Sequence, residues 1–433
     1  MAVPFQSVPE FARYLDSLGF FHMDLSLGRM EQALQALDLS RPPYRIVQVA
    51  GTNGKGSTAT FLASLLEASG VKTGLYTSPH FVHPSERILI NGRRLPEDEG
   101  LWLEAAREAW QACPELTYFE ILTVMALYAF RACGVQAAIL EAGLGARWDA
   151  TTAAPADAVC LAPMALDHTA VLGPAIEDIA RDKACAIRSS APVFSSPQPP
   201  EAAAIIAERA RAFQAPLAVT GPLSADIQLG LAGAHQRVNA ATALACARSM
   251  LDMLGVPAIE ASLAQGLVCA FIPGRLQSVP GTAEHPAFLL DGAHNPHGMA
   301  SLASFLEQGD ARPRATVYSC LHDKDWRTAL GMLAKVLPGV PFLVPAMHNE
   351  RAEAPDAILQ HLREHGVREA AACSGLAEAL AQAERAPGGG PVLVTGSLYL
   401  LADFFALHPD ALERPAREAC RRVPSSILRM HHV

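Results

Sequence analysis

The sequence predicts an α/β fold with mainly parallel sheets, arranged as two successive units. Three observations predict it. Short apolar, β-branched runs alternate with longer helical patterns almost throughout, which puts a crossover helix between one parallel strand and the next. The run Ile46 to Val49 ends in a glycine-rich turn that opens straight into a helix. A cluster of prolines and glycines around 271–286 interrupts the helical pattern, and a fresh alternation follows it.

In the first part, the strand candidates are 45–50, 73–77, 137–141, 159–161 and 193–195, each an apolar run bounded by turn residues. Helical patterns cover 57–68, 119–133, 176–188 and 201–213, and an Ala-, Leu- and Met-rich stretch adds another over 239–254. Ile88-Leu-Ile-Asn-Gly-Arg-Arg-Leu95 is a hairpin about Asn-Gly, because both turn positions require a positive φ. The boundary follows Phe271-Ile-Pro-Gly-Arg-Leu276, giving a first domain over 1–276, a linker over 277–286 and a second domain over 287–433. The second alternation has strands at 288–291, 316–320, 342–344 and 392–395, with helices at 298–308 and 326–337.

At 433 residues the chain is long enough to bury more than one core. Hydrophobic residues make up 50% and charged residues 18%, a globular balance rather than a disordered one. A formal net charge of −9 without a basic stripe argues against a nucleic-acid partner. Nine scattered cysteines with no Cys-x-x-Cys pair suit a reducing cytosol better than a disulfide framework or a zinc site. Met1-Ala-Val-Pro-Phe carries no secretory pattern. The apolar helix 121–130, flanked by Glu120 and Arg131, is too short to span a bilayer and reads as buried. The expectation is a cytoplasmic protein with no membrane partner. It is expected to be a monomer, since no heptad or self-complementary helix is visible.

Chemistry concentrates in Tyr44-Arg-Ile-Val-Gln-Val-Ala-Gly-Thr-Asn-Gly-Lys-Gly-Ser-Thr58. Glycines let backbone amides crowd around a phosphate chain, and the helix N-terminus adds its positive dipole end. Lys55 is placed to reach the terminal phosphates. The spelling is unusual: Gly56 separates the lysine from the hydroxyl of Ser57, so a metal-binding hydroxyl can come from elsewhere. Ser78 follows the second strand and Glu141 ends the third, offering the hard oxygen ligands that Mg²⁺ prefers. Alone, Ser78 reads as a turn residue before Pro79. Glu141 closes the apolar run 137–140, where a charge needs a partner or a metal. Asp167 and His168 are loop or cap residues unless they stand beside such a site. Lys183 is an ordinary surface lysine by default, but in a chain that prefers arginine it is also a candidate amine.

Taken together, these segments resemble the Mur-ligase superfamily, and within it the bifunctional dihydrofolate synthases and folylpolyglutamate synthases. The resemblance covers essentially the whole chain. Its marks are Gly51-Thr-Asn-Gly-Lys-Gly-Ser57, Thr77-Ser-Pro-His80 with Glu86-Arg87-Ile88, Tyr118-Phe-Glu120, and Glu141-Ala-Gly-Leu-Gly with Asp149-Ala-Thr151. They continue with Leu166-Asp-His168, Asp182-Lys183-Ala184, Asn239-Ala-Ala, Pro273-Gly-Arg275, Asp291-Gly-Ala-His-Asn-Pro296, Leu321-His-Asp-Lys-Asp325 and Gly396-Ser-Leu-Tyr399.

The resemblance implies a P-loop-type, mainly parallel-sheet ATPase domain followed by a smaller Rossmann-like α/β domain. It assigns ATP to Asn53, Gly54, Lys55, Gly56 and Ser57, with Asn239, Arg275 and Asp291 touching the nucleotide from the far side and the linker. Ser78, Glu141 and His168 match magnesium ligands, two ions being expected, with Lys55, Lys183 and His168 as the catalytic set. Lys183 matches a lysine that CO₂ converts to a carbamate. His294 and Ser397 match positions that hold the incoming glutamate. A pterin is implied for Asp24, Leu25 and Ser26, for Thr117, Tyr118, Phe119 and Glu120, and for Asp149, Ala150 and Thr151. The alternative for the segment 23–27, set behind the pterin role, is an ordinary interhelix loop.

The chain departs from the family pattern at Ala146 (a glycine), Trp148 (a smaller residue), Thr152 (an asparagine), Asp182 (a glutamate) and Cys185 (a glycine). None of these removes a metal or phosphate ligand. The implied reaction is ATP-dependent addition of L-glutamate to dihydropteroate and to tetrahydrofolate or its polyglutamates, through an acyl phosphate. Folylpolyglutamate synthesis alone, a UDP-muramoyl peptide ligase, a motor or switch NTPase, and a silent pterin- or nucleotide-binding regulator are the alternatives.

Overall fold

A computed structural model describes the protein over residues 3–19, 25–282, 285–309 and 312–414. Two short helices come first. Helix α1 (Val8–Ser17) buries Phe11 and Leu15, and α2 (Gly28–Ala36) buries Met30, Ala33 and Leu34. Strand β1 (Arg45–Ala50) follows and feeds α3 (Lys55–Ala68). Next come β2 (Thr73–Tyr76) and the hairpin β3 (Ile88–Ile90) and β4 (Arg93–Arg94). Asn91 and Gly92 turn that hairpin at φ 51° and 73°, as the Asn-Gly pair predicts. Helices α4 (Leu101–Ala112) and α5 (Tyr118–Ala132) lead to β5 (Ala137–Glu141) and β6 (Ala158–Leu161). After them come the single turn α6 (Thr169–Leu172), α7 (Ile176–Lys183), β7 (Val193–Ser195), α8 (Pro200–Ala212) and β8 (Leu217–Val219). Helices α9 (Gln236–Met253) and α10 (Glu260–Cys269) complete this part.

The eight strands lie in the order β4-β3-β2-β5-β1-β6-β7-β8. All pairings are parallel except those made by the hairpin. Strand β1 is central, with β2 and β5 on one side and β6 on the other, so the chain leaves its carboxyl end in opposite directions. That is where α/β sheets collect ligands. Helix α3 packs on β1, β2 and β5 and also on α10, which is why it is buried all round from Ser57 to Glu67. Helix α5 is buried along nearly its whole length, as expected for 121–130. No helix among the described residues is long and apolar enough to cross a membrane.

The second sheet begins with β9 (Gln277–Val279) and β10 (Phe288–Asp291), then α11 (Pro296–Gln308), β11 (Ala315–Tyr318) and α12 (Trp326–Val336). It continues with β12 (Phe342–Pro345), α13 (Pro355–Glu364), β13 (Ala370–Cys373), α14 (Leu376–Glu384), β14 (Val392–Thr395) and α15 (Leu398–Leu407). The order is β13-β12-β11-β14-β10-β9, parallel except for β9. Its core gathers Trp326, Phe342, Leu330 and Leu333.

Contacts divide the chain into two compact units. One holds residues up to Gly230 with Arg237–Ala270, the other Leu231–Gln236 and the residues from Phe271. The division therefore falls several residues before the expected boundary at 276. The stretch expected to be linker carries β9, which pairs with β10 through Val279, Ser278 and Gln277.

Candidate active site

The turn after β1 is pinned before any ligand arrives. The amides of Thr52 and Asn53 both donate to the Pro163 carbonyl, at 3.0 and 3.1 Å. The Thr52 hydroxyl donates to the Ala165 carbonyl at 3.0 Å and accepts the Ala165 amide at 3.1 Å. This ties the turn to the segment beyond β6. Gly54 then adopts the left-handed conformation, φ +81°, and a Cβ there would lie 2.3 Å from Asn239 Oδ1. Glycine is required at that position both for its backbone and for the approach of α9.

The helix starts at Lys55, two residues before the expected 57. Gly56 is thus part of the first turn rather than extra loop, and Ser57 is buried inside that turn. Lys55 Nζ folds back to 3.2 Å from the Thr52 carbonyl. Asn53 Nδ2 and Thr58 Oγ1 are buried with no hydrogen-bond partner among the described residues. Buried donors are seldom left so, and beside a helix N-terminus they suit anionic oxygens. The residues present fit a triphosphate.

Glu141 ends β5 as a buried carboxylate, one of whose oxygens accepts the Ser78 amide at 3.0 Å. These two expected metal ligands are therefore neighbours. His168 occupies the loop beyond β6 with φ +50°, its exposed ring 3.8 Å from Asp167. Among the described residues no three His, Cys, Asp or Glu side chains cluster as a metal site. The expected set, a serine, a glutamate and a histidine, contains only two such groups and leaves positions for phosphate and water oxygens, the arrangement Mg²⁺ favours. The oxygen donors of Ser78 and Glu141 fit that ion.

Lys183 closes α7 and is buried. Burial, reinforced by the nearby positive charge of Lys55, pushes its ammonium down to about 7, while Asp182, Asp149 and Asp167 pull the other way. A substantial fraction is then a neutral amine near neutral pH, which an arginine at this position could not supply. Asp182 is not a spare carboxylate. It accepts the amides of Ala146 at 2.8 Å and Arg147 at 3.4 Å, fastening the loop that follows β5.

Of the expected pterin set, Asp24 lies outside the described residues. Leu25 is exposed, and Ser26 accepts the Gly28 amide at 3.1 Å ahead of α2. Thr117 caps α5 with Glu120 in a reciprocal capping box. The Glu120 carboxylate also grips Arg29 through two bonds, of 3.0 and 2.9 Å, so its charge is engaged within the protein. Tyr118 is buried with the Arg87 guanidinium 5.6 Å from its ring, and Phe119 packs on Tyr76 at 5.7 Å. Asp149 accepts amides from Gly143, Leu144 and Thr151, and the Thr151 hydroxyl. Burial raises its pKa against those bonds. Ala150 and Thr151 are buried in the short 3₁₀ turn that follows.

In the second unit, Asp291 ends β10 and accepts the amides of Leu276 and Ala293, each at 2.9 Å. Burial raises its pKa although Arg275 opposes the shift. The residues expected to meet ATP are thus divided: Asn53 to Ser57 and Asn239 belong to the first unit, Arg275 and Asp291 to the second. His294 Nδ1 lies 2.8 Å from the Gly292 carbonyl, which only accepts, so Nδ1 carries a proton and donates it there. Ser397 is buried and caps α15 by accepting the Tyr399 amide at 3.1 Å.

Several buried polar groups escape sequence reasoning, Thr58 among them. In the second unit Ser319 and Thr395 carry buried hydroxyls without partners among the described residues, at the ends of the adjacent strands β11 and β14. The available signal was a hydroxyl closing an apolar strand run.

Residues 274–398 match the family model described as Mur ligase, glutamate ligase domain. The dihydrofolate synthase/folylpolyglutamate synthase of Escherichia coli is 34% identical over 363 residues, covering 81% of this chain and 84% of that protein. A probable bifunctional folylpolyglutamate synthase/dihydropteroate synthase of Haloferax volcanii is 33% identical over 426 residues, 91% of this chain; the chain spans 50% of that relative's length. Among solved structures, E. coli FolC in complex with DHPP and ADP has a TM-score of 0.82 at 30% identity, covering 95% of this chain and 99% of its own. The Yersinia pestis bifunctional folylpolyglutamate synthase/dihydrofolate synthase, complexed with AMPPNP and Mn ion, has a TM-score of 0.79 at 30% identity, covering 94% and 100%. With that cradle, that topology and the E. coli relative matched along most of both chains, the protein belongs to the dihydrofolate synthase and folylpolyglutamate synthase family of Mur ligases.

Proposed function

We propose that the protein is an ATP-dependent ligase that joins L-glutamate to dihydropteroate and to tetrahydrofolate or its polyglutamates. The observation that carries this reading is the arrangement around β1: a pinned P-loop with unpartnered buried donors, beside Glu141 and a buried Lys183 held near neutrality. The pteroyl carboxylate attacks the γ-phosphate of ATP, giving an acyl phosphate and ADP. The amine of glutamate then attacks the acyl carbon, loses a proton and expels phosphate. Carboxylate oxygen is a poor leaving group and phosphate a good one, so ATP makes the amide accessible.

Lys55 places a point charge beside the transferred phosphoryl, and Asn53, Gly54, Gly56 and Ser57 hold the phosphate chain. Ser78, Glu141 and His168 would hold magnesium, which supplies further charge neutralisation there. The neutral amine of Lys183 reacts with CO₂ to give a carbamate and a proton, replacing a cation with an anion at the metal site. Asn239, Arg275 and Asp291 position the nucleotide, and His294 and Ser397 receive glutamate. Leu25, Ser26, Phe119 and Thr151 are the described residues we assign to the pterin. Thr117, Tyr118, Glu120, Asp149 and Ala150 shape the walls around them.

Purified protein is given ATP, glutamate and either dihydropteroate or tetrahydrofolate, and products are identified by mass. Glutamate addition to both substrates is expected; addition to tetrahydrofolate alone would narrow the activity to folylpolyglutamate synthesis. Lys55→Ala and Glu141→Ala should each abolish glutamate-dependent ADP release while keeping the wild-type circular dichroism spectrum. Full activity in either variant overturns its assignment.

A further inference from the structure

The first unit contains a cleft of about 660 Å³ bounded by the later turns of α7 and α8 and by residues 147–148. That volume is of the size that holds an organic ligand. Arg147, Arg181, Arg188 and Arg209 line it against one carboxylate, Glu208. The chain as a whole carries −9, so this local positive excess runs counter to the molecule's balance.

Helix-end chemistry explains only part of it. Arg181 and Arg209 sit in the last turns of α7 and α8, where cations complement the dipole, and Arg181 meets Asp178 at 3.3 Å. Arg188 donates to the Thr152 carbonyl at 2.9 Å and Arg209 to the Ile187 carbonyl at 3.0 Å. A guanidinium has five N–H donors, so one carbonyl bond orients the fork without consuming it. The Arg147 side chain instead stacks 5.2 Å over the ring of Trp148, which is 42% exposed.

The chemistry of the lining selects the ligand. The helices contribute their C-terminal turns, whose dipole ends oppose any anion, so attraction for one comes from the guanidiniums alone. The guanidiniums come from three stretches of chain, the loop after β5, the end of α7 with the turn beyond it, and α8, which suits carboxylates carried in series on one flexible ligand. The cleft also borders the reaction centre. Leu27, next to the segment assigned to the pterin, lines it, and Asp182 bonds the Arg147 amide directly beside Lys183 in sequence.

We infer that this cleft receives the γ-linked oligoglutamate tail of a polyglutamylated folate, its α-carboxylates pairing with the arginines. The inference rests on the folate-ligase reading. ADP release is measured with dihydropteroate, which has no tail, and with tetrahydropteroyl mono- and triglutamate, for the wild type and for the double variant Arg147→Ala/Arg181→Ala. Neither of these side chains donates to a backbone carbonyl, so the fold is spared. The KM for the triglutamate should rise about tenfold or more, one lost charge-assisted contact sufficing for that, while the values for dihydropteroate stay put. A double Lys variant at the same positions should recover part of the loss. An unchanged triglutamate KM, or an equal rise for all three substrates, overturns the inference. A wild type inactive on all three overturns the folate reading itself, and the tail site falls with it.

Discussion

Lys183 is the residue whose environment says most about its chemistry. Its ammonium is held at about 7 in the native protein against 10.5 for the free side chain, chiefly by burial. Between those values the unfolded chain binds a proton that the native chain does not, so stability rises with pH through that window, and the cost is fully present below about 7. Lys183→Met removes the cost. In CO₂-free buffer the variant should melt above the wild type at neutral pH, and the gap should close as the pH climbs towards 10.5; a gap independent of pH would contradict the shift. The same variant should lose activity, since methionine offers no amine. Gly54 makes a second residue-scale case. Alanine there costs about 1–2 kcal/mol for the left-handed backbone and also forces Asn239 away. Gly54→Ala should weaken ATP binding at least about tenfold by titration calorimetry, a loss equivalent to about 1.4 kcal/mol. Unaltered affinity would mean that α9 does not need to approach so closely.

Elements show which parts of the architecture are written locally. The Asn91-Gly92 hairpin and β1, β5, β7, β10 and β14 were legible because turn chemistry and apolar runs act over a few residues. Helix ends were less so. The expected helix over 176–188 stops at Lys183 and continues as a 3₁₀ turn over Ala184–Ala186, a break with no proline or glycine to announce it. Helices α1, α2, α4, α6, α10, α13, α14 and α15 passed unread, as did strands β8 and β13 and also β9, whose three residues become a strand only through β10. Site roles divide in the same way. The glycine-rich turn and the helix it opens were legible from spacing, whereas the bonds made by Asp182 and Glu120 depend on loops and helices distant in sequence. The Glu120–Arg29 pair, spanning α5 and α2, is the clearest instance. Glu120→Gln removes a buried carboxylate from the Arg29 guanidinium and should lower the free energy of urea unfolding measurably. Adding Arg29→Met should restore part of that. A variant of normal stability with a raised pterin KM would instead make Glu120 a substrate contact.

At the scale of the whole molecule, each compact unit contains a histidine held neutral beside an arginine. In the first unit, burial, then Arg87 and His83, push His80 down to about 3, and Arg87 Nε donates to its Nδ1 at 2.9 Å. In the second, burial, then Arg275 and His297, push His235 down to about 4. The unfolded chain protonates both near 6.5, so each removes stability as the pH falls from there to its native value. Asp149 and Asp291, raised by burial, act in the opposite sense over the acid range, but comparing each variant with its parent cancels them. His80→Gln and His235→Gln should each flatten the fall in melting temperature between about pH 6.5 and 4. The two histidines share no partner among the groups that shift them, so the effects should add in the double variant. A double variant no flatter than either single one would mean that one ionisation governs acid unfolding of the entire chain. A steeper fall in either single variant would reverse the sign assigned to that histidine.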